Sequence, residues 1–189
     1  MNAQPPAASH EPPLPPTALE GTHWIDTLRD GTRVLIRPLR AEDREREEAF
    51  IERLSGESRR YRFLSDFKEV SPALMQQLMD VHYPERMAFV ALAHDNGELR
   101  EVGISRYSAT ADGKRCECAV TVAEDWRHRG LGVTLMQHLI KLARRNGFKQ
   151  MFSIDDADNE PMRELARHLG FERRLDPDDG SQVIHTLAL

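Results

Sequence analysis

A short segment between a strand pattern and a helix pattern carries two glycines and two arginines, in the run Arg127-His128-Arg129-Gly130-Leu131-Gly132. A strand-to-helix turn leaves several backbone N–H groups unpaired, and the helix dipole adds positive potential there. Glycine has no Cβ atom, so phosphate oxygens can approach its backbone, and arginine adds positive charge. The segment is therefore a candidate site for a pyrophosphate, although two glycines can also simply form a tight turn.

Two other phosphate-binding motifs do not fit these residues. A P-loop needs Gly-Lys-Ser/Thr, which the sequence lacks. A Rossmann fingerprint needs a third glycine where Leu135 stands, although Asp155 and Asp156 lie at a suitable distance downstream. Several strand patterns also precede the turn, and too few residues follow it for a full dinucleotide-binding fold.

Composition excludes several classes of protein. The chain has 189 residues, of which 40% are apolar, which suits a single core. Its formal net charge of -5 gives no basic surface for a nucleic acid. The N-terminus lacks the pattern of a secretory signal, and no stretch approaches the roughly 20 apolar residues that span a bilayer. We expect a cytoplasmic protein that binds neither nucleic acid nor membrane.

The two cysteines predict no metal site. Cys116 and Cys118 alternate along a strand pattern and so lie on one face, where this spacing cannot close an ordinary disulfide. No further ligands follow at the spacing of a zinc site. We expect two thiols in a reducing compartment.

The pattern along the chain predicts one folded domain over residues 21–189 after a disordered, proline-rich tail over 1–20. The segment around Asp66-Phe67-Lys68 is a candidate substrate flap. Strands are expected at 33–37, 87–93, 102–109, 116–122, 150–154 and 183–187. Helices are expected at 41–54, 57–63, 71–80, 161–169 and from 133 until Gly147.

The turn belongs to a longer pattern. The segment 120–126 precedes it, and Asn159 and Gly170-Phe171 follow. Together these residues resemble the GNAT superfamily of N-acetyltransferases, whose signature is Arg/Gln-x-x-Gly-x-Gly/Ala with a downstream Asn and a Gly-Phe. The resemblance implies an acetyl-CoA site in which the stretch from Arg127 to Val133 wraps the pyrophosphate. It also implies that Asn159 contacts the cofactor arm, and the same side chain can cap the helix that follows.

The resemblance implies a fold as well. This is the α/β (α+β) GNAT fold, a mixed, mostly antiparallel central sheet of six or seven strands flanked by helices. The fourth and fifth strands of the family, here 116–122 and 150–154, would splay apart to admit the pantetheine. A backbone N–H near Val120, Thr121 and Val122 would then polarise the thioester carbonyl.

The similarity extends over roughly residues 28–189. The stretches 28–43, 83–92 and 119–122 look like the bacterial protein-lysine acetyltransferase branch. In that branch the domain is often fused to an acyl-CoA-synthetase-like or cyclic-nucleotide-binding module, and neither is present in these residues. The acceptor therefore cannot be inherited from the resemblance.

Glu117 is the candidate general base. Acetyl transfer needs a neutral amine, whereas a free lysine amine is almost wholly protonated near pH 7. The resemblance to the lysine-acetyltransferase branch implies that a glutamate at this place is the base, and a partly desolvated carboxylate would have a raised pKa. The alternative is a solvent-facing glutamate in a Cys-Glu-Cys alternation. Many GNAT enzymes also place a tyrosine, the general acid, seven residues after the motif asparagine, where this chain has Ala166. Water could then protonate the leaving thiolate.

His82 and Tyr83 lie where the family builds its acceptor cleft, although a single loop histidine is often merely exposed. His128 can be an incidental turn residue. The acceptor is either a protein lysine or a small amine such as a polyamine, an amino acid or a drug-like compound. A third hypothesis, suggested by Ala166, is an acyl-CoA-binding regulatory module without catalysis. Whether the chain forms a homodimer stays open.

Overall fold

A computed structural model describes residues 19, 21–64, 69–95 and 97–189, and in these residues eight strands form one sheet. The strands are β1 (Trp24–Thr27), β2 (Arg33–Pro38), β3 (Arg86–Asp95), β4 (Glu98–Ala109), β5 (Arg115–Val122), β6 (Gln150–Asp156), β7 (Glu172–Leu175) and β8 (Gln182–Ala188). Their order across the sheet is β1-β2-β3-β4-β5-β6-β8-β7. β5 and β6 pair in parallel and the other neighbours are antiparallel, which confirms the mixed, mostly antiparallel sheet.

The predicted helices are confirmed, with small shifts at their ends. They are α1 (Arg44–Arg53), α2 (Gly56–Phe63), α3 (Pro72–Met79), α4 (Leu131–Arg145) and α5 (Glu160–His168). Ser55, Ser71 and Asn159 cap three of them by accepting a backbone N–H bond. No helix in the described part of the chain is long and apolar enough to cross a membrane.

The sheet has more strands than the six or seven expected. β1 lies before the first expected strand, 33–37, and β7 follows α5. Both are four-residue strands at the sheet edges, and the side chains of β7 are all exposed. β7 shows no apolar alternation, whereas β1 is also held by Trp24, which packs edge-on against Phe89 and stacks on His138.

Two sequence predictions fall mainly on residues outside the described part. Of the predicted tail over 1–20 the structure describes Leu19, which packs against the core. The proposed substrate flap around Asp66-Phe67-Lys68 lies outside the described residues. Both stay predictions.

The expected splay lies between β5 and β6. These strands pair only from Arg115↔Gln150 to Glu117↔Phe152, and beyond Glu117 they separate. β5 remains paired with β4 up to Val122, and β6 with β8 up to Asp156. The gap is therefore a cleft between two strands that are each held firmly on their other side.

Helices cover both faces of the sheet. α4 lies close to β4, and glycine at position 103 permits this approach. A Cβ atom there would be only 3.1 Å from Leu135 Cδ1. Ser105 Oγ also donates to the Leu135 carbonyl, at 3.3 Å. The next residue of β4, Arg106, points to the opposite face, where its Nη2 lies 2.8 Å from Glu47 Oε1 of α1.

Two clusters of charge are buried beneath α1. Arg37 forms two hydrogen bonds to Asp43, at 2.6 and 2.8 Å, and Asp43 is 0% exposed. Burial opposes the charge of Asp43, but the bonds from Arg37 outweigh it and lower the pKa of this carboxyl. Glu101, also 0% exposed, lies beside Glu47. Burial, and then the Glu47 carboxylate, raises the pKa of Glu101 well above its usual value, and neither carboxyl oxygen of Glu101 has a hydrogen-bond partner among the described residues.

Candidate active site

The turn before α4 has an unusual backbone. Gly130 has φ +88° and His128 has φ +61°, both in the left-handed region. Glycine adopts this conformation at little cost, whereas the exposed His128 is strained there. Gly130 is followed at once by the helical residue Leu131, and neighbouring left- and right-handed residues direct successive N–H groups to one side, which is typical of an anion-binding concavity.

The start of α4 adds further N–H donors. The first helical bond joins the Thr134 N–H to the Gly130 carbonyl, at 3.1 Å. The N–H groups of Leu131, Gly132 and Val133 therefore have no acceptor within the helix. A Cβ atom on Gly132 would be 3.5 Å from Leu165, which is ordinary contact, so this glycine is not required by packing. These donors fit a pyrophosphate.

The two arginines of the turn bind protein groups. Arg127 Nη2 donates to Ser58 Oγ at 2.7 Å. Arg129 forms an ion pair with Asp30 at 3.1 Å, and its guanidinium lies 4.6 Å from the centre of the Trp126 ring. Both positive charges remain at the turn, but their hydrogen bonds hold its shape.

Glu124 connects this turn to α2. Its Oε1 accepts a hydrogen bond from Ser58 Oγ at 2.5 Å and another from the Ser55 N–H at 2.9 Å. Burial opposes ionisation of Glu124, but these bonds outweigh it and lower its pKa to about 2. The sequence predicted a short helix over 57–63, but it did not predict this connection between Ser55, Ser58 and Glu124.

The exposed backbone edge of β5 forms one wall of the cleft. The Arg115 carbonyl accepts from Thr110 beyond β4, and the Ala123 N–H donates to Val102 of β4. Successive residues of a strand point their backbone polar groups to opposite edges of that strand. Since Arg115 and Ala123 both point theirs toward β4, every second residue between them also pairs with β4. Thr121 belongs to that set. Val120 and Val122 instead direct their N–H groups toward the cleft.

Asn159 lies where β6 passes into α5. Its Oδ1 accepts a hydrogen bond from the Met162 N–H at 3.1 Å, so the side chain caps α5 as expected. The bond uses the amide oxygen, which leaves the amide NH₂ group as a donor. The capping role and the cofactor role are therefore compatible.

Glu117 lies at the point where the strands begin to separate. It is paired with Ser108 of β4 and Phe152 of β6, and it is the last residue of β5 that pairs with β6. The side chain is exposed, whereas Cys116 and Cys118 are buried. The expected desolvation is therefore not provided by this chain alone, and any desolvation would have to come from bound substrates.

The cysteines are not suited to nucleophilic catalysis. Burial raises the pKa of the Cys116 thiol to about 12, and burial also raises that of Cys118 well above its usual value. A nucleophilic cysteine needs a thiolate near neutral pH. Ala166, at the position of the family's tyrosine, is buried in the core at 1% exposure and supplies no proton donor.

A buried polar network was missed from the sequence. His185 Nδ1 and Ser153 Oγ both bond to Asp155 Oδ2, at 2.9 and 2.6 Å. All three side chains are buried between β6 and β8. Polar residues at alternate positions of an otherwise apolar strand were the available signal. Elsewhere in the described chain no group of three His, Cys, Asp or Glu side chains could hold a metal ion.

His82 and Tyr83 point in different directions. The Tyr83 hydroxyl donates to Asn146 Oδ1 at the end of α4, at 2.7 Å, and Asn146 in turn donates to Tyr107. His82 is exposed and lies 2.6 Å from Asp80. The backbone carbonyl of His82 accepts a hydrogen bond from the Arg86 N–H. Arg86 pairs with Ser108 and Ser108 pairs with Glu117, so Arg86 and Glu117 lie in one row across the sheet. Of the two, only His82 is free to meet an acceptor.

Known proteins share both this sequence and this fold. A sequence model of the acetyltransferase (GNAT) family matches residues 44–171. A protein of Pseudomonas aeruginosa named as an acetyltransferase is 60% identical over 172 residues, which cover 91% of this chain and 92% of that protein.

Solved structures are similar at lower sequence identity. The GNAT domain of PAT from S. lividans superposes with a TM-score of 0.81 at 23% identity, over 93% of this chain and 100% of that one. A cAMP-binding acyltransferase from Mycobacterium smegmatis gives a TM-score of 0.61 at 23% identity, over 88% of this chain and 47% of that one. At these identities the structures show the fold alone.

Proposed function

Because the chain belongs to the GNAT family of acetyltransferases, we propose that it transfers the acetyl group of acetyl-CoA to a primary amine, with Glu117 as general base. The observation that carries the proposal is the position of Glu117. The carboxylate lies at the closed end of the cleft, and the N–H groups at the start of α4 lie at its open end. Val122 is five positions after Glu117 in β5, which is about 17 Å at the rise of an extended strand. An extended pantetheine arm fits this length.

The cofactor would be held mainly by backbone groups. The N–H groups of Leu131, Gly132 and Val133 would bind the pyrophosphate, beside Gly130. Arg127, His128 and Arg129 would shape this turn, with the two arginines adding positive potential. The free NH₂ group of Asn159 would donate to the cofactor arm, and the cleft edge at Val120 and Val122 would bind the pantetheine. Thr121 would contribute by packing, because its backbone is paired with β4.

The reaction would proceed by direct attack in a ternary complex. Glu117 would accept the proton of the acceptor ammonium, directly or through water, and the neutral amine nitrogen would then attack the thioester carbonyl carbon. The Val120 N–H, the nearer of the two cleft-facing groups to Glu117, would donate to the carbonyl oxygen as negative charge develops on it. As the C–S bond breaks, the nitrogen would release its second proton to water, and the leaving thiolate would take a proton from water, since Ala166 offers none.

A protein lysine is the first acceptor that we propose. The sequence stretches 28–43, 83–92 and 119–122, which resemble protein-lysine acetyltransferases, support this choice. The exposure of Glu117 and Ser108 also supports it, because a lysine on a protein surface could reach the carboxylate. His82 would lie at the edge of the same surface. Small amines remain the alternative.

The substitution Glu117→Gln tests the base. General-base catalysis contributes about 10²–10⁴-fold, so we expect kcat to fall by that factor while the Kd for acetyl-CoA stays the same. Coenzyme A release should be followed with proteins and with small amines as acceptors. Glu172→Gln is a matched control, because Glu172 is an exposed strand glutamate at the sheet edge.

The outcomes separate the three hypotheses. Unchanged turnover in Glu117→Gln would reject Glu117 as the base. Turnover on small amines alone would reject the protein lysine. A wild-type protein that binds acetyl-CoA and acetylates no acceptor would instead be a binding module.

A further inference from the structure

α2 covers the face of the sheet to which Glu117 points. The start of α2 is tied to the pyrophosphate turn through Ser58 and Glu124, as described above. Further along the helix, Arg60 forms an ion pair with Asp156 at the end of β6, at 3.2 Å. The helix therefore runs from the turn toward the point where β5 and β6 separate.

Arg62, in the last turn of α2, is a half-buried cation. Its guanidinium lies 4.9 Å from the centre of the Phe63 ring. Within the described part of the chain no carboxylate pairs with it, whereas Arg60 pairs with Asp156 and Arg106 with Glu47. Burial, and then repulsion by Arg106, lowers the pKa of Arg62 to about 10, despite the nearby carboxylates of Glu47, Glu117 and Asp155. Such a charge is costly to keep without a partner.

Arg62 belongs to the helix that covers the face of the sheet to which Glu117 points. Its charge interacts with those of Glu117 and Arg106. Arg106 lies two residues before Ser108, the β4 partner of Glu117, so these three side chains are on one face of the sheet. An acceptor that reaches Glu117 therefore meets a surface that also carries these two guanidinium charges. Arg106 is already paired with Glu47, which leaves Arg62 to meet a negative group of the acceptor.

We propose that the acceptor carries a carboxylate near its amine, and that Arg62 binds this carboxylate while the amine faces Glu117. Guanidinium groups bind carboxylates through paired hydrogen bonds of fixed geometry, which would orient the acceptor. The inference rests on the proposed acetyltransferase function. The carboxylate is either that of a free amino acid or that of an acidic residue beside a lysine in a protein.

Matched acceptors that differ in one charge test the inference. One pair is β-alanine and its amide, and the other is a lysine peptide with Glu or with Gln next to the lysine. For each pair the ratio of kcat/KM values is measured in wild type and in Arg62→Gln, so that intrinsic differences between the two amines cancel. Hydrogen bonds to charged groups correspond to roughly tenfold to a hundredfold in affinity. We expect the wild-type preference for the carboxylate to fall by that factor in Arg62→Gln, mainly through KM of the acceptor.

Two further variants make the test specific. Arg62→Lys keeps the charge but loses the paired geometry, so it should retain part of the preference and should fold even if Arg62→Gln does not. Arg33→Gln removes an exposed arginine from β2, far from the cleft, and should leave the ratio unchanged.

A fall in the ratio for the amino-acid pair supports a small acceptor, and a fall for the peptide pair supports a protein. An unchanged ratio in both pairs overturns the inference while leaving the proposed function intact. A rise in KM for acetyl-CoA alone would assign Arg62 to the cofactor and also overturn it. If no amine in either pair is acetylated but another amine is, the inference is overturned and the proposed function stands; if no amine at all is acetylated, both fail.

Discussion

The two glycines at the turn before α4, Gly130 and Gly132, should differ in how replacement by alanine changes the stability of the protein. Gly130 has φ +88°, a conformation that costs other L-residues about 1–2 kcal/mol. The new Cβ atom would lie 3.3 Å from Cγ and Nε of Arg29, a flexible side chain that can move aside. We therefore expect Gly130→Ala to lower the free energy of unfolding by about 1–2 kcal/mol from the backbone conformation. At about 2–4 °C per kcal/mol for a chain of this size, Tm should fall by roughly 2–8 °C.

Gly132→Ala is the matched control. Gly132 is the second residue of α4 and needs no left-handed conformation. Its Cβ atom would be 3.5 Å from Leu165 and 3.7 Å from Val122, which are ordinary contacts. Alanine is favoured over glycine by up to about 1 kcal/mol inside a helix and by less in its first turn. We expect Tm to be equal to that of wild type or slightly higher.

The assay is thermal unfolding of both variants with and without acetyl-CoA, with Kd measured by calorimetry. Gly130→Ala should also bind acetyl-CoA more weakly, because a change in its φ redirects the N–H groups at the start of α4. Gly132→Ala should still bind, since the family signature accepts either residue there. The reasoning is refuted if Gly130→Ala melts at the wild-type temperature, or if Gly132→Ala loses as much stability as Gly130→Ala.

Two further substitutions test the buried charges beneath α1. Asp43→Asn leaves the Arg37 guanidinium buried without its anion, so urea denaturation should show a loss of about 3–5 kcal/mol, and a loss below about 1 kcal/mol would contradict this. For Glu101 the folded chain keeps a proton that the unfolded chain releases above the ordinary glutamate pKa, so wild-type stability should fall as pH rises. Glu101→Gln removes this titration, and its stability relative to wild type should increase between pH 5 and pH 8. A difference that does not change with pH would show that Glu101 is ionised in the folded protein.

Local patterns predicted most of the secondary structure and the identity of the turn. The apolar period of α4 and the capping residues Ser71 and Asn159 act over a few neighbouring positions, so they can be read from the chain directly. The edge strands β1 and β7 were missed because four residues are too few for a periodic signal and their partners are distant: β7 pairs with β8, and β1 pairs with β2 and packs Trp24 against Phe89 and His138. The cytoplasmic location, the tail over 1–20 and the question of a homodimer stay predictions.

The sequence by itself determined the family and the residue types of the site, because the turn motif, Asn159 and Gly170-Phe171 lie at fixed spacings. Only the tertiary structure decided which groups are free to act. Arg127 and Arg129 are engaged with Ser58 and Asp30, and Glu117 is exposed.

Arg62 carries the same charge as Arg60 and Arg106. In the described chain, however, those two arginines pair with carboxylates and Arg62, near Glu117, does not. Partners such as these come from elements far apart along the chain. The energy of a charge depends on its distance to the others and on its burial, and neither is encoded locally.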